Sequence, residues 1–141
     1  MSKLTENFYL QEFVTKDLYK KWKERAYIFV DERIIYLAQY IRSRYDKPMT
    51  INNWISSSEG FNYRGWRPAN CSVGSKFSQH KSGRAIDFNV AGMSPEEIYK
   101  DIMDNEAHFY DYGLRAIIKD TETYTHIDCR ASFEHNTIKI L

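Results

Sequence analysis

Cysteine is scarce in this chain: Cys71 and Cys129 are the only two in 141 residues. That excludes a disulfide framework, and free thiols are expected in a reducing compartment. Both cysteines flank segments of chemical interest, so metal ligation is a secondary option for them. Excess charge is also missing. The net charge is +1, which gives no electrostatic case for nucleic acid or an anionic membrane as partner. No apolar run approaches the roughly 20 residues of a membrane span. The first seven residues, Met1 to Asn7, carry no apolar stretch of the secretory type, so a cytoplasmic start is expected. Repeats, low-complexity tracts and linkers are absent, and one domain over 1–141 is expected.

What is present is apolar and aromatic: 43% hydrophobic residues, with 11 tyrosines, enough to bury a core. Phe8, Leu10 and Phe13 form a short apolar set expected to pack onto the body. A basic helix is expected over 17–26. A long helix is expected over 28–45, with Ile34, Leu37, Ala38 and Ile41 as its buried stripe and Pro48 beyond its end. This helical part, 1–48, precedes a sheet and site part, 49–141. There a strand is expected over 49–55, then a long loop from Ser56 to Phe77, which at that length suggests function. A strand over 85–90 follows. Ser94, Pro95 and Glu97 form a helix start with capping box and first-turn proline, for a helix ending near Asn105. Leu114 to Ile118 and Thr123 to Asp128 read as a hairpin, and 136–141 as a final edge strand. The order implies an α+β domain, a mostly antiparallel sheet with helices packed on one face.

The chemistry centres on Ser78-Gln79-His80-Lys81-Ser82-Gly83-Arg84-Ala85-Ile86-Asp87. In a strand over 85–90, Ile86, Phe88 and Val90 point into the core, and Asp87 and Asn89 point away. Gly83 lets the chain turn between His80 and that strand. On Thr123–Asp128, His126 and Asp128 share a face with Tyr124. Neighbouring strands would aim Asp87 and His126 at one point, with His80 brought over it. Two histidines and one aspartate make a zinc set of the catalytic type, the fourth position left to water. A hydrolase of this kind also needs a base and a cation for the developing oxyanion. Asp128 and Glu122 are the base candidates; Asp128 alternatively supports His126 or pairs with Arg130. Arg67 is the candidate cation. Trp54, Tyr63 and Trp66 are candidates to wall a cleft. His108 and His135 read as surface residues.

Ser78-x-His80-x-x-Gly83-x-Ala85-x-Asp87, followed by His126-Ile127-Asp128, resembles the zinc D-alanyl-D-alanine carboxypeptidases and their endopeptidase relatives. These share a fold with the hedgehog signalling domain. Gly65-Trp66-Arg67-Pro68 is similar to the Gly-Tyr-Arg segment that precedes their motif. The chain as a whole looks most like short phage-encoded members. The resemblance implies zinc held by His80, Asp87 and His126, and Arg67 meeting the substrate carboxylate or tetrahedral intermediate. It also implies Ser78 orienting a ligand. The substrate would be a peptidoglycan peptide stem, cut as a carboxypeptidase or endopeptidase by a protein acting as a monomer, without membrane insertion. Delivery to the wall would follow phage-mediated release or carriage in a virion. The chain departs from the pattern twice. Thr123 stands where many members place an acidic base, which motivates the alternative of an inactive zinc-binding module. Arg64 adds a second cation beside Trp66 and Ser78 as candidate substrate contacts.

Overall fold

A computed structural model describes residues 2–141. Helix α1 spans Lys16–Trp22 and starts at Thr15, whose hydroxyl accepts from the Leu18 amide at 3.2 Å. The basic helix expected over 17–26 is shorter because Lys23 takes φ 53°, which an α-helix cannot continue. A 3₁₀ run, Lys23–Phe29, follows. Helix α2 spans Glu32–Tyr45 instead of beginning at Ile28. Val30 is extended, and Asp31 caps the helix by accepting from the Arg33 amide at 3.0 Å. Its buried stripe is Ile34, Ile35, Leu37, Ala38 and Ile41.

Strand β1 is only Met49–Thr50, not 49–55. Asn52 explains the shortening. Its amide donates to Glu12 O and its side chain bonds both Val14 O and the Arg64 amide. The backbone there is tied to the N-terminal segment and the long loop, not to the sheet. Strand β2 spans Ala85–Val90, as expected. Helix α3, Pro95–Asp104, has the full Ser94–Glu97 capping box. A further short helix that the sequence did not announce, α4 (Glu106–Asp111), buries Phe109 edge-to-face against Tyr40.

Strands β3 (Ala116–Ile117), β4 (Thr125–Asp128) and β5 (Lys139–Ile140) complete a sheet ordered β1-β2-β4-β3-β5. Every pairing is antiparallel except β3 with β5, which is parallel. The expected α+β fold with a mostly antiparallel sheet therefore stands, and the parallel edge makes the sheet mixed. Ile86, Phe88 and Ile127 from the sheet meet Ile34, Leu37 and Ile41 of α2 and Ile98 and Ile102 of α3 in one core cluster. Phe8, Leu10 and Phe13 join it, each at most 1% exposed. Burial of each such side chain contributes about 1.5–3 kcal/mol, so the segment from Phe8 to Val14 supplies part of the core. No helix among the described residues is long and apolar enough to cross a membrane.

Candidate metal centre

β2 and β4 pair so that Asp87 lies directly opposite His126. Alternation sends Ile86, Phe88 and Ile127 into the core, leaving Asp87, His126 and Asp128 on the other face. His80 reaches that face from a 3₁₀ turn, Gln79–Ser82. The turn is held at both ends. Ser78 Oγ accepts from the His80 amide at 3.2 Å, and the Gly83 amide donates to His80 O at 3.1 Å. Gly83 has φ 69°, and a Cβ there would stand 2.0 Å from Phe29 O. Only glycine fits that conformation in that space.

His126 Nδ1 is 2.8 Å from Asp87 Oδ1, and His80 Nε2 is 3.2 Å from the same oxygen. Bonds of roughly 2.0–2.1 Å to a tetrahedral zinc would set ligand atoms roughly 3.3 Å apart. Both distances to Asp87 are near that spacing, and the three ligand atoms all lie within 4.8 Å of one another. Each ligand is also oriented from behind. His80 Nδ1–H donates to Gly65 O at 2.8 Å, leaving the Nε2 lone pair free. His126 Nε2–H donates to Asp128 Oδ2 at 3.1 Å, leaving Nδ1 free. Arg67 Nη2 holds the second oxygen of Asp87 at 3.2 Å. Such partners fix tautomer and carboxylate rotation before an ion arrives.

The charges are coupled. Burial pushes the Asp87 carboxyl up, but hydrogen bonds and charge from His126 and His80 outweigh it and hold the group well below the usual carboxylate range. Burial pushes His126 down, and hydrogen bonds to Asp128 and Asp87 outweigh that, raising it above the ordinary imidazole value. Burial raises Asp128, and Arg130 and His126 together bring it below its usual range. Over the trio lies a cavity of about 460 Å³, lined also by Arg67, Phe77, Ser78, Tyr124 and Arg130. A larger one, of about 720 Å³, lies elsewhere and touches none of the three. Ligand chemistry, not volume, marks the smaller one as the site.

The sequence profile of the family described as Peptidase M15 matches residues 11–128. The chain belongs to the peptidase M15 family. No curated protein and no solved structure gives a significant match. M15 peptidases are zinc-dependent. Among the described residues, His80, Asp87 and His126 are the group able to hold such an ion, and all three lie inside the matched span.

The other candidates of this M15 chain are distributed unevenly. Arg67, 7% exposed, reaches the cavity but is already engaged with Tyr63 O (2.7 Å) and Val73 O (3.3 Å) besides Asp87. Gly74 makes room for it, since a Cβ there would lie 2.5 Å from Arg67 Nη1. Ser78 lines the cavity, and its hydroxyl orients His80 through the backbone. Asp128 is fully buried behind His126 and accepts twice from the Arg130 guanidinium, at 2.8 and 2.7 Å. Two of its sequence readings, support of His126 and pairing with Arg130, therefore describe one arrangement, and the base reading loses its access. Glu122 is exposed and lines the larger cavity, not the metal centre. Its four-residue separation from His126 places it beyond the end of β4.

Arg64 is set back from the cavity lining. Its guanidinium lies 3.5 Å from the Phe61 ring centroid, and its carbonyl accepts from the Asp87 amide at 2.8 Å. Trp66 does not wall the cleft. It packs on Phe29 at 5.3 Å and against the core, because the 64–67 segment turns its backbone toward the site. Gly65 permits this, since a Cβ there would lie 2.3 Å from Phe13 O. Trp54 is likewise a packing residue, donating to Val14 O at 2.9 Å. Both cysteines are free; burial pushes the Cys129 thiol up to about 11, and it stands outside the ligand trio. His108 and His135 are exposed. Tyr124 and Arg130 line the cavity without having been assigned to it. The period-two alternation that puts Tyr124 on the face of His126 was the available signal.

Proposed function

We propose that this chain is a zinc metallopeptidase that hydrolyses peptide bonds in bacterial peptidoglycan stems. The observation that carries the reading is the trio, its ligand atoms gathered within 4.8 Å of one another, each member oriented by a separate partner, beneath an open cavity. Two imidazole nitrogens and one carboxylate oxygen suit zinc and leave its fourth position toward the cavity. Zinc bound there would supply a water of near-neutral pKa and polarise the substrate carbonyl.

The chain's own groups do the rest. His80 and His126 present lone pairs because Gly65 O and Asp128 take their ring protons. Arg67 steadies Asp87 with one N–H, and three of its five donors are spoken for. The remaining two serve a substrate carboxylate or the developing oxyanion. Tyr124 adds a hydroxyl on the same wall. The protein acts as a monomeric unit over 1–141, on peptide stems, without nucleic acid or membrane insertion. A phage lysis system or virion would carry it to the wall.

A specific observation favours a second reading, a zinc-binding module without catalysis. Thr123 is exposed, and Asp87 is the only side-chain carboxylate lining the cavity among the described residues. Release of new amino groups from purified peptidoglycan, followed by mass spectrometry of the products, separates the two. The peptidase reading expects zinc-dependent release that His80→Ala abolishes. Zinc retention and thermal stabilisation with no release from any muropeptide would establish the module.

A further inference from the structure

The cavity of about 720 Å³ is formed by α3 on one side and the β3–β4 connection on the other. Its walls are apolar: Pro95, Tyr99, Met103 and Ile118 line it. Its rim is acidic. Glu96, Asp120 and Glu122 line it, and among the described residues none of their carboxylates enters a salt bridge or side-chain hydrogen bond. Asp104 is neutralised by Lys100 one helical turn away, and Lys119 is the one unengaged cation on the wall. The excess is two negative charges (four carboxylates against two ammonium groups).

The floor gives an independent observation. Thr125 lines this cavity and is 2% exposed, yet its hydroxyl oxygen has no hydrogen-bond partner. A buried hydroxyl left unmade costs about 1–3 kcal/mol, and a valine would fill the same space without that cost. Thr125 is the neighbour of His126 on β4 and faces the opposite side of the sheet. Ile118 lines both this cavity and the metal centre, so the two adjoin.

We infer that this second cavity receives an alkylammonium side chain of the substrate peptide, with the methylenes against Tyr99, Met103 and Ile118. The ammonium group is met by Glu122, Asp120 and the Thr125 hydroxyl. Apolar walls ending in unpaired acceptors match a lysine-like chain, which buries its stem and keeps its charge among oxygens. This deepens the peptidase reading, since stems contain a diamino acid residue whose amine is free before cross-linking. It makes the enzyme selective for uncross-linked stems.

The test uses the full chain with zinc and a synthetic stem pentapeptide containing lysine, alongside the same peptide acetylated on its side-chain amine. Calorimetric titration reads binding, and chromatography reads cleavage. Acetylation should weaken binding to the wild-type protein about tenfold, the scale of one charge-assisted contact. Asp120→Asn with Glu122→Gln, both at the rim, should lower affinity for the free amine to that for the acetylated peptide. Affinity for the acetylated peptide and zinc content should stay unchanged. Thr125→Val should reduce the preference partly without lowering thermal stability. Equal binding of the two peptides, absence of binding, or an equal loss for both in the rim variant would overturn the inference. Amine-dependent binding without cleavage would instead count against the peptidase reading and leave the cavity's specificity standing.

Discussion

Asp128 stands behind His126, its Oδ2 3.1 Å from His126 Nε2, while Arg130 closes on the same carboxylate at 2.7 and 2.8 Å. A residue within reach of the cavity in sequence is thus turned into a support for a ligand. Removing it by Asp128→Ala frees the His126 ring to change tautomer and leaves Arg130 without its partner. Zinc affinity should fall about 10–100-fold. Competition against a chelator of known strength measures it, and an unchanged affinity would refute the support role.

The coupled charges predict opposite pH trends with and without zinc. Asp87 is held below its ordinary 3.8. Its contribution to stability is therefore present above that value and disappears as pH falls. His126 is raised above its ordinary 6.5. Its contribution is full below 6.5 and disappears as pH rises through the folded value. For this cluster, the metal-free protein is steadiest between the two. Zinc requires His126 unprotonated, so the stabilisation it adds should grow from pH 5.5 to pH 8. Thermal melts with zinc and with chelator across that range check the sign. A zinc increment that shrinks with rising pH would contradict it.

The ligand trio was legible because two local rules sufficed. Alternation on β2 and β4 put Asp87 and His126 on polar faces, and Gly83 announced the turn that returns His80. The α3 cap was equally plain, since Ser94, Pro95 and Glu97 act within one turn. Two of the misreadings depend on long-range partners. Asn52 ends β1 by bonding to Glu12 and Val14, residues some forty positions away. Trp66 faces the core because Gly65 lets the loop press against Phe13. Asp128 and Glu122 both sat near His126 in sequence, but one lies on β4 and the other beyond its end. That difference sends them to opposite sides of the sheet.

Gly83 concentrates two constraints in one residue. With φ 69° and only 2.0 Å between a would-be Cβ and Phe29 O, Gly83→Ala meets both backbone strain and a clash with main chain. The conformational part alone costs about 1 kcal/mol, and the clash adds to it, for a loss of about 3 kcal/mol. The same shift moves His80, so zinc content should fall with stability. Urea unfolding with metal analysis tests this, and a variant as stable as wild type with full zinc would contradict it.

Arg67 distinguishes a residue that only meets substrate from one that also builds the centre. Its Nη2 holds Asp87 Oδ2 at 3.2 Å, and its Nε and Nη1 tie it to Tyr63 O and Val73 O. Arg67→Ala leaves the buried Asp87 carboxylate free to rotate and short of one donor. It also removes the guanidinium from the cavity wall. Turnover should therefore fall about 10²–10³-fold, the range for a lost oxyanion donor, and zinc affinity should fall with it. Arg67→Lys keeps the charge but has a single nitrogen in place of the planar fork. It should restore part of the zinc affinity and little of the turnover. Zinc titration beside steady-state kinetics on both variants decides the matter: a kinetic loss with zinc affinity intact in Arg67→Ala would mean that Arg67 serves the substrate alone.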